Sequence, residues 1–124
     1  MRMIYKFYDT AALAEAREHI FDNLETERPV ISTWSLDKLK DLSFLTNRKD
    51  DYDIHIYEGN MIPRFAGYKD IESLMAAIDY DDKVHPDETI FVSNSIALRQ
   101  IANQFFGEDS IEKYTPKDDR RLGY

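Results

Sequence analysis

The sequence contains no cysteine, which excludes disulfide bonds and thiolate metal sites. It also lacks any apolar run near the roughly 18 residues that suggest a membrane-spanning helix. A signal peptide is not indicated, because Lys6 and Asp9 interrupt the first apolar run. These absences together favour a cytoplasmic protein.

Basic residues are scarce. Sixteen Lys and Arg stand against 24 Asp and Glu, and the formal net charge is −8. This charge disfavours a stoichiometric nucleic-acid binder, because phosphates attract basic surfaces. It disfavours a metal-dependent nuclease less, since carboxylates that hold Mg²⁺ or Mn²⁺ reverse the local sign. Hydrophobic residues make up 43% of the chain, which suits one globular domain.

Several familiar α/β signatures are missing. The sequence has no Gly-x-Gly-x-x-Gly and no Gly-Lys-Ser/Thr, so dinucleotide and P-loop phosphate sites are not indicated. The Gly-x-Ser-x-Gly nucleophile elbow is absent as well. Asp9 is followed by Thr10 and Ala11, which does not match the Asp-x-Asp pair of haloacid-dehalogenase-type phosphatases.

The hydrophobic pattern alternates between strands and helices along the chain. Apolar or alternating runs predict strands at 4–8, 29–33, 53–58, 89–93 and 110–114. Helical periodicity predicts helices at 10–24, 35–44, 70–78 and 95–105, with polar loops at 46–53, 59–67 and 79–88. We expect Ser35 to cap the second helix, Gly107 to follow the last one, and His55 to face outward from its strand. This order predicts a three-layer α/β/α fold with a mostly parallel sheet. We expect one domain over residues 1–114 and a charged tail at 115–124.

Three of the predicted strands end at small polar residues, and each of these residues opens a helix. These residues are Asp9, Ser32 and Asn94. We expect the three strands to be parallel neighbours, with the polar residues at one edge of the sheet. Asp9 has two interpretations from this pattern alone: a functional carboxylate at the sheet edge, or the N-cap of the following helix.

Four segments resemble the motifs of PIN domains, the PIN-domain ribonuclease family, in the right order. They are Phe-Tyr-Asp-Thr-Ala-Ala-Leu at 7–13, the segments 30–40 and 68–71, and Ile-Phe-Val-Ser-Asn-Ser at 90–95 with the helix after it. The resemblance implies a PIN-like fold and a metal-dependent endoribonuclease acting on RNA. It implies Asp9 and Asp70 as catalytic residues and as ligands of Mg²⁺ or Mn²⁺, with polar support from Thr10, Ser32, Asn94 and Ser95. It also implies possible partners, namely RNA, an antitoxin or other protein, or a second copy of the chain.

The sequence departs from the family pattern at two of the four acidic positions. Lys38 occupies one of them, and Ser95 occupies the other. Asp37 stands one residue before Lys38, and one residue on a helix is about 100° of rotation. We therefore predict that Asp9 and Asp70 approach each other, with Lys38 near them and Asp37 outside. Trp34 and Phe91 are predicted to pack in the core.

Three functional interpretations follow from these residues. The first is residual metal-dependent RNA cleavage through Asp9 and Asp70, so the enzymatic status stays open. The second is a non-catalytic PIN-fold module that binds a protein or RNA partner, and we favour loss of catalysis over activity. The third is a flavodoxin-like regulatory domain in which Asp9 is a phosphate acceptor or a cap.

Overall fold

A computed structural model describes residues 2–59 and 63–115. Their strands form one five-stranded sheet in the order β3-β2-β1-β4-β5, and all four pairings are parallel. This confirms the predicted α/β class and places the first strand at the centre. The strands are β1 (Ile4–Tyr8), β2 (Glu27–Ser32), β3 (Asp53–His55), β4 (Glu88–Val92) and β5 (Ile111–Glu112).

Helices cover both faces of the sheet. One core lies between the sheet and the helices α3 and α4, with Phe7, Leu74 and Phe91 fully buried. The second core lies on the opposite face under α1 and contains Leu13 and Ile31. The helices are α1 (Thr10–Ala16), α2 (Thr33–Lys38), α3 (Ile71–Val84) and α4 (Ile96–Ala102), with 3₁₀ turns at Arg17–Phe21, Ser43–Leu45, Pro63–Phe65 and Glu108–Ser110.

The central position of β1 in the sheet explains its apolar sequence. Phe7 and Tyr8 point to opposite faces, and both are buried because each face carries a helix layer. Lys6 is the exception, and it is neutralised by Glu27 at 3.2 Å and Glu112 at 2.9 Å. The ammonium therefore ties together strands on both sides of β1.

The predicted boundaries of two helices are wrong. The helix predicted over 10–24 ends at Ala16, because Arg17 takes a positive φ of 51° and a 3₁₀ turn follows. The helix predicted over 35–44 begins at Thr33 and is capped by Ser32 rather than by Ser35. It ends at Lys38, since the next residue is extended.

Three further predictions need correction. The acidic loop predicted at 79–88 is helical as far as Val84, where His85 ends α3 with a φ of 51°. His55 does not project outward from β3, because its Nε2 lies 2.7 Å from an oxygen of Asp79. Gly107 does not close α4, which ends at Ala102.

Two of the predicted segments fall partly outside the structural description. The loop predicted at 59–67 contains a 3₁₀ turn at Pro63–Phe65, but residues 60–62 lie outside the described residues. In the tail predicted at 115–124, the same is true of residues 116–124. Within the described ranges, no helix has both the length and the apolar character needed to cross a bilayer.

Candidate functional site

The carboxyl ends of the three central strands carry helix caps. Asp9 follows β1 and caps α1, and its side chain accepts a hydrogen bond from the Ala12 N–H. Ser32 ends β2 and caps α2, while Ser95 follows β4 and caps α4. The parallel order of the strands brings these caps to one edge of the sheet, as the sequence predicted.

Asp9 is buried at this edge, with a side chain in contact with protein donors on both oxygens. It is 2% exposed. One oxygen accepts from the Ala12 N–H at 2.7 Å, and the other accepts from the Ser93 hydroxyl at 2.5 Å. Burial raises the pKa of Asp9, the two hydrogen bonds oppose that shift, and the charge of Asp70 adds to it. Asp9 is therefore the N-cap of α1, which is one of its two interpretations from the sequence.

Asp70 lies just before α3 in a left-handed conformation with a φ of 60°. Its side chain does not cap its own helix. Instead, one oxygen accepts from the Thr10 N–H at 2.9 Å, and the other accepts from the Thr10 hydroxyl at 2.9 Å and from the Trp34 indole N–H at 3.0 Å. Asp70 thus joins the first residue of α1 to α2, and Thr10 links it to Asp9.

A cluster of hydroxyl groups surrounds Thr10. Its Oγ1 lies 2.9 Å from Ser35 Oγ and 3.1 Å from Ser73 Oγ, and Ser32 donates to Ser35 at 3.3 Å. Ser35 and Ser73 are fully buried. The sequence analysis missed both of them. Ser73 had a detectable signal, because it is a polar residue between the apolar residues Ile71 and Leu74 of a helix.

Replacing Thr10 with Val should destabilise the fold by about 1–3 kcal/mol. Valine keeps the shape but removes the hydroxyl, which leaves buried hydroxyls and a carboxylate oxygen without one partner. Urea denaturation of both proteins measures the loss. Thr10→Ser is the matched control, because it keeps the oxygen and should stay closer to the unmodified chain. Equal losses in the two variants would contradict a role for the hydroxyl.

The other predicted site residues are placed as follows. Lys38 lies over the Trp34 ring, with its Nζ 4.4 Å from the ring centroid, and Asp37 is exposed. The Ser95 N–H donates to the Ser93 hydroxyl at 3.1 Å, which connects Ser95 to Asp9 through one residue.

Asn94 faces a different set of partners. Its amide nitrogen donates to Glu15 at 3.1 Å, and its oxygen accepts from the Tyr114 N–H at 2.9 Å. Asn94 thus links α1 to the segment after β5, and both of its amide atoms are occupied there.

The residues at this edge do not fit a Mg²⁺ or Mn²⁺ ion. Such ions take several oxygen ligands, but the two predicted ligands, Asp9 and Asp70, accept a protein hydrogen bond on every carboxylate oxygen, which leaves at most one lone pair on each. Within residues 2–59 and 63–115, no three His, Cys, Asp or Glu side chains are grouped closely enough to hold a metal.

A groove of about 530 Å³ opens beside this edge, between α1, α2 and the start of α3. Trp34 lines it and is only partly buried, so its predicted place in the core is wrong, whereas Phe91 is buried as predicted. Both apolar and charged residues line the groove. Its other apolar residues are Ala11, Ala14, Leu39 and Phe44, and its charged residues are Arg17, Lys38, Lys40, Asp41, Lys69 and Asp70.

Comparison with known proteins finds similarity to solved structures. No protein-family model matches the chain, and no curated protein matches it. A PilT N-terminus domain protein from the archaeon Sulfolobus solfataricus P2 is similar over 90% of this chain and 87% of that chain, with 13% identity and a TM-score of 0.49. This similarity concerns the arrangement of strands and helices. The parallel sheet and its two helix layers define a three-layer α/β domain.

Proposed function

We propose that this chain is a PIN-like domain that has lost metal-dependent RNA cleavage and serves as a binding module. The motif resemblance supplies the relation to Mg²⁺- or Mn²⁺-dependent endoribonucleases. The observation that carries the loss of catalysis is the hydrogen bonding of Asp9 and Asp70. Donors from Ala12, Ser93 and Thr10, together with the Trp34 indole, occupy all four carboxylate oxygens. These bonds leave at most one lone pair on each oxygen for a metal ion, and none on the Asp70 oxygen that accepts from both the Thr10 hydroxyl and Trp34.

The local charge supports the same conclusion. Lys38 stands where the family pattern has an acid, and it lines the same groove as Asp70. Three clustered carboxylates repel one another and favour a bound cation, whereas two carboxylates near one ammonium carry a net charge of −1. The site therefore attracts a divalent ion less strongly than the family's full set of acids would.

We assign binding to a surface beside the switch point of the sheet. In open α/β sheets, ligands occupy the crevice where the strand order reverses, which here lies between β1 and β4. A hydrogen bond from Ser93 to Asp9 joins the residues that follow these two strands. The open surface lies on the other side of β1, in the groove beside α2.

The regulatory alternative is weaker. A phosphate acceptor must be reached by its phosphoryl donor, but Asp9 is 2% exposed and both of its oxygens are bonded. The predicted cytoplasmic location, the possible homodimer and the possible antitoxin stay predictions. RNA stays a candidate partner, because the family resemblance implies it.

The isolated protein should cleave single-stranded RNA little or not at all, and it should bind Mg²⁺ or Mn²⁺ only weakly. A fluorogenic RNA assay with Mg²⁺ or Mn²⁺ measures cleavage, and isothermal titration calorimetry measures binding. Asp9→Asn is the control for contaminating ribonucleases. Robust cleavage by the unmodified protein that disappears in Asp9→Asn would refute the proposed loss of activity.

A further inference from the structure

We propose that the groove beside α2 is a docking site for an acidic peptide segment of a partner protein. The segment would place a large apolar side chain in the groove and Asp or Glu residues at its rim. This inference rests on the proposed function, because it assigns the groove to binding rather than to a metal-dependent reaction.

The rim of the groove carries lysine side chains that are not paired with acidic side chains of the described residues. Lys38, Lys40 and Lys69 all line the groove and are exposed. None of the three forms an ion pair with a residue that the structure describes, whereas Arg17 of the same groove is paired with Asp41 at 2.9 Å. In a chain of net charge −8, three ammonium groups without an ion pair around one groove reverse the local sign. They complement carboxylates.

The floor of the groove is apolar. Ala11 and Ala14 are one helical turn apart on α1 and expose a shallow surface, which Leu39 and Phe44 extend. The volume of about 530 Å³ falls within the range of pockets that enclose ligands. An apolar floor with a cationic rim matches a segment that combines apolar anchors with acidic flanks.

The same details disfavour RNA as the occupant. Single-stranded RNA binds by stacking bases on open aromatic faces. Here Lys38 lies over a face of Trp34 at 4.4 Å, and Arg17 lies over a face of Phe44 at 5.3 Å. A base would have to displace these cations before it could stack on either ring. A peptide can leave the cations in place and use them for its carboxylates.

The test is selection of short peptides from a displayed random library on the immobilised full chain. The enriched peptides should combine Asp or Glu with large apolar residues, and fluorescence anisotropy gives their Kd. Lys38→Glu with Lys69→Glu should weaken binding about tenfold, since two ion pairs become repulsive. Lys49→Glu with Lys113→Glu makes the same charge change at exposed positions outside the groove and should change Kd less than about twofold.

A second variant tests the apolar floor without changing charge. Ala14→Phe adds a ring at an exposed groove position and should also weaken binding. Thermal unfolding checks that every variant is folded. Enriched peptides without acidic residues, or peptides indifferent to both groove variants, would overturn the docking site.

Binding of labelled oligouridine tests whether RNA occupies the groove instead of a peptide. If oligouridine binds, loses its binding in Lys38→Glu with Lys69→Glu, and no peptide is enriched, the occupant is RNA and the peptide proposal is wrong. RNA cleavage in the assay described above would refute the proposed function whatever the peptides do. A failed peptide selection without cleavage would refute this inference alone.

Discussion

The double variant Lys38→Glu/Ser95→Asp should bind Mn²⁺ more tightly than the unmodified chain, by about tenfold for each added carboxylate. Lys38→Glu replaces an ammonium with an acid in the groove that Asp70 lines. Ser95→Asp places an acid at a position whose N–H bonds Ser93, the direct partner of Asp9. Aspartate is also a strong N-cap, so α4 should keep its first turn.

Isothermal titration calorimetry measures this change against a variant of equal charge. Lys113→Glu/Gln104→Glu alters the net charge by the same amount at exposed positions away from the groove. Its affinity for Mn²⁺ should match that of the unmodified chain, because long-range charge is screened by salt. Equal gains in the two double variants would show that net charge, and not the two altered positions, limits metal binding.

Removing the Asp9 side chain should cost the fold about 2–4 kcal/mol in Asp9→Ala. Alanine removes the N-cap of α1 and leaves the Ser93 hydroxyl without its partner. Asp9→Asn should cost less, because its amide oxygen can still accept from the Ala12 N–H. Urea denaturation of the three proteins gives the order, and a loss in Asp9→Asn as large as that in Asp9→Ala would contradict it.

The cost of Asp9→Asn should depend on pH. Burial raises the pKa of Asp9 above its ordinary value of 3.8, so the folded state holds the proton more tightly than the unfolded state. The resulting stabilisation is present at low pH and is lost as pH rises through the folded pKa. Asparagine does not titrate, so the stability advantage of the unmodified protein over Asp9→Asn should shrink as pH rises from 3.8 through the folded pKa of Asp9. A difference that stays constant over this range would contradict the raised pKa.

The arrangement of the sheet followed from the sequence because its central strands are covered on both faces. Such strands are continuous apolar runs, and the runs around Phe7, Ile31 and Phe91 were clear. The ends of α1 and α3 were not predictable, because Arg17 and His85 end them with a positive φ. Glycine is the usual residue in that conformation, and neither position carries it.

The candidate site was predictable only in part. The caps at Asp9 and Ser95 follow from local sequence, since a cap and its helix are neighbours in the chain. The hydrogen bond from the Trp34 indole to Asp70 joins residues 36 positions apart, and the hydrophobic periodicity of the sequence does not predict such a contact. The four-residue spacing of Trp34 and Lys38 was visible and does place them together on α2.

The central position of β1 has a consequence for how the chain folds. Ile4 pairs with Glu27 on one side and with Glu88 on the other. During synthesis the first partner emerges early, but the second emerges only when most of the protein has been made. Until then the other edge of β1 is open, and an open apolar strand edge is a template for aggregation. Folding of this domain therefore depends on its late segments reaching its earliest strand.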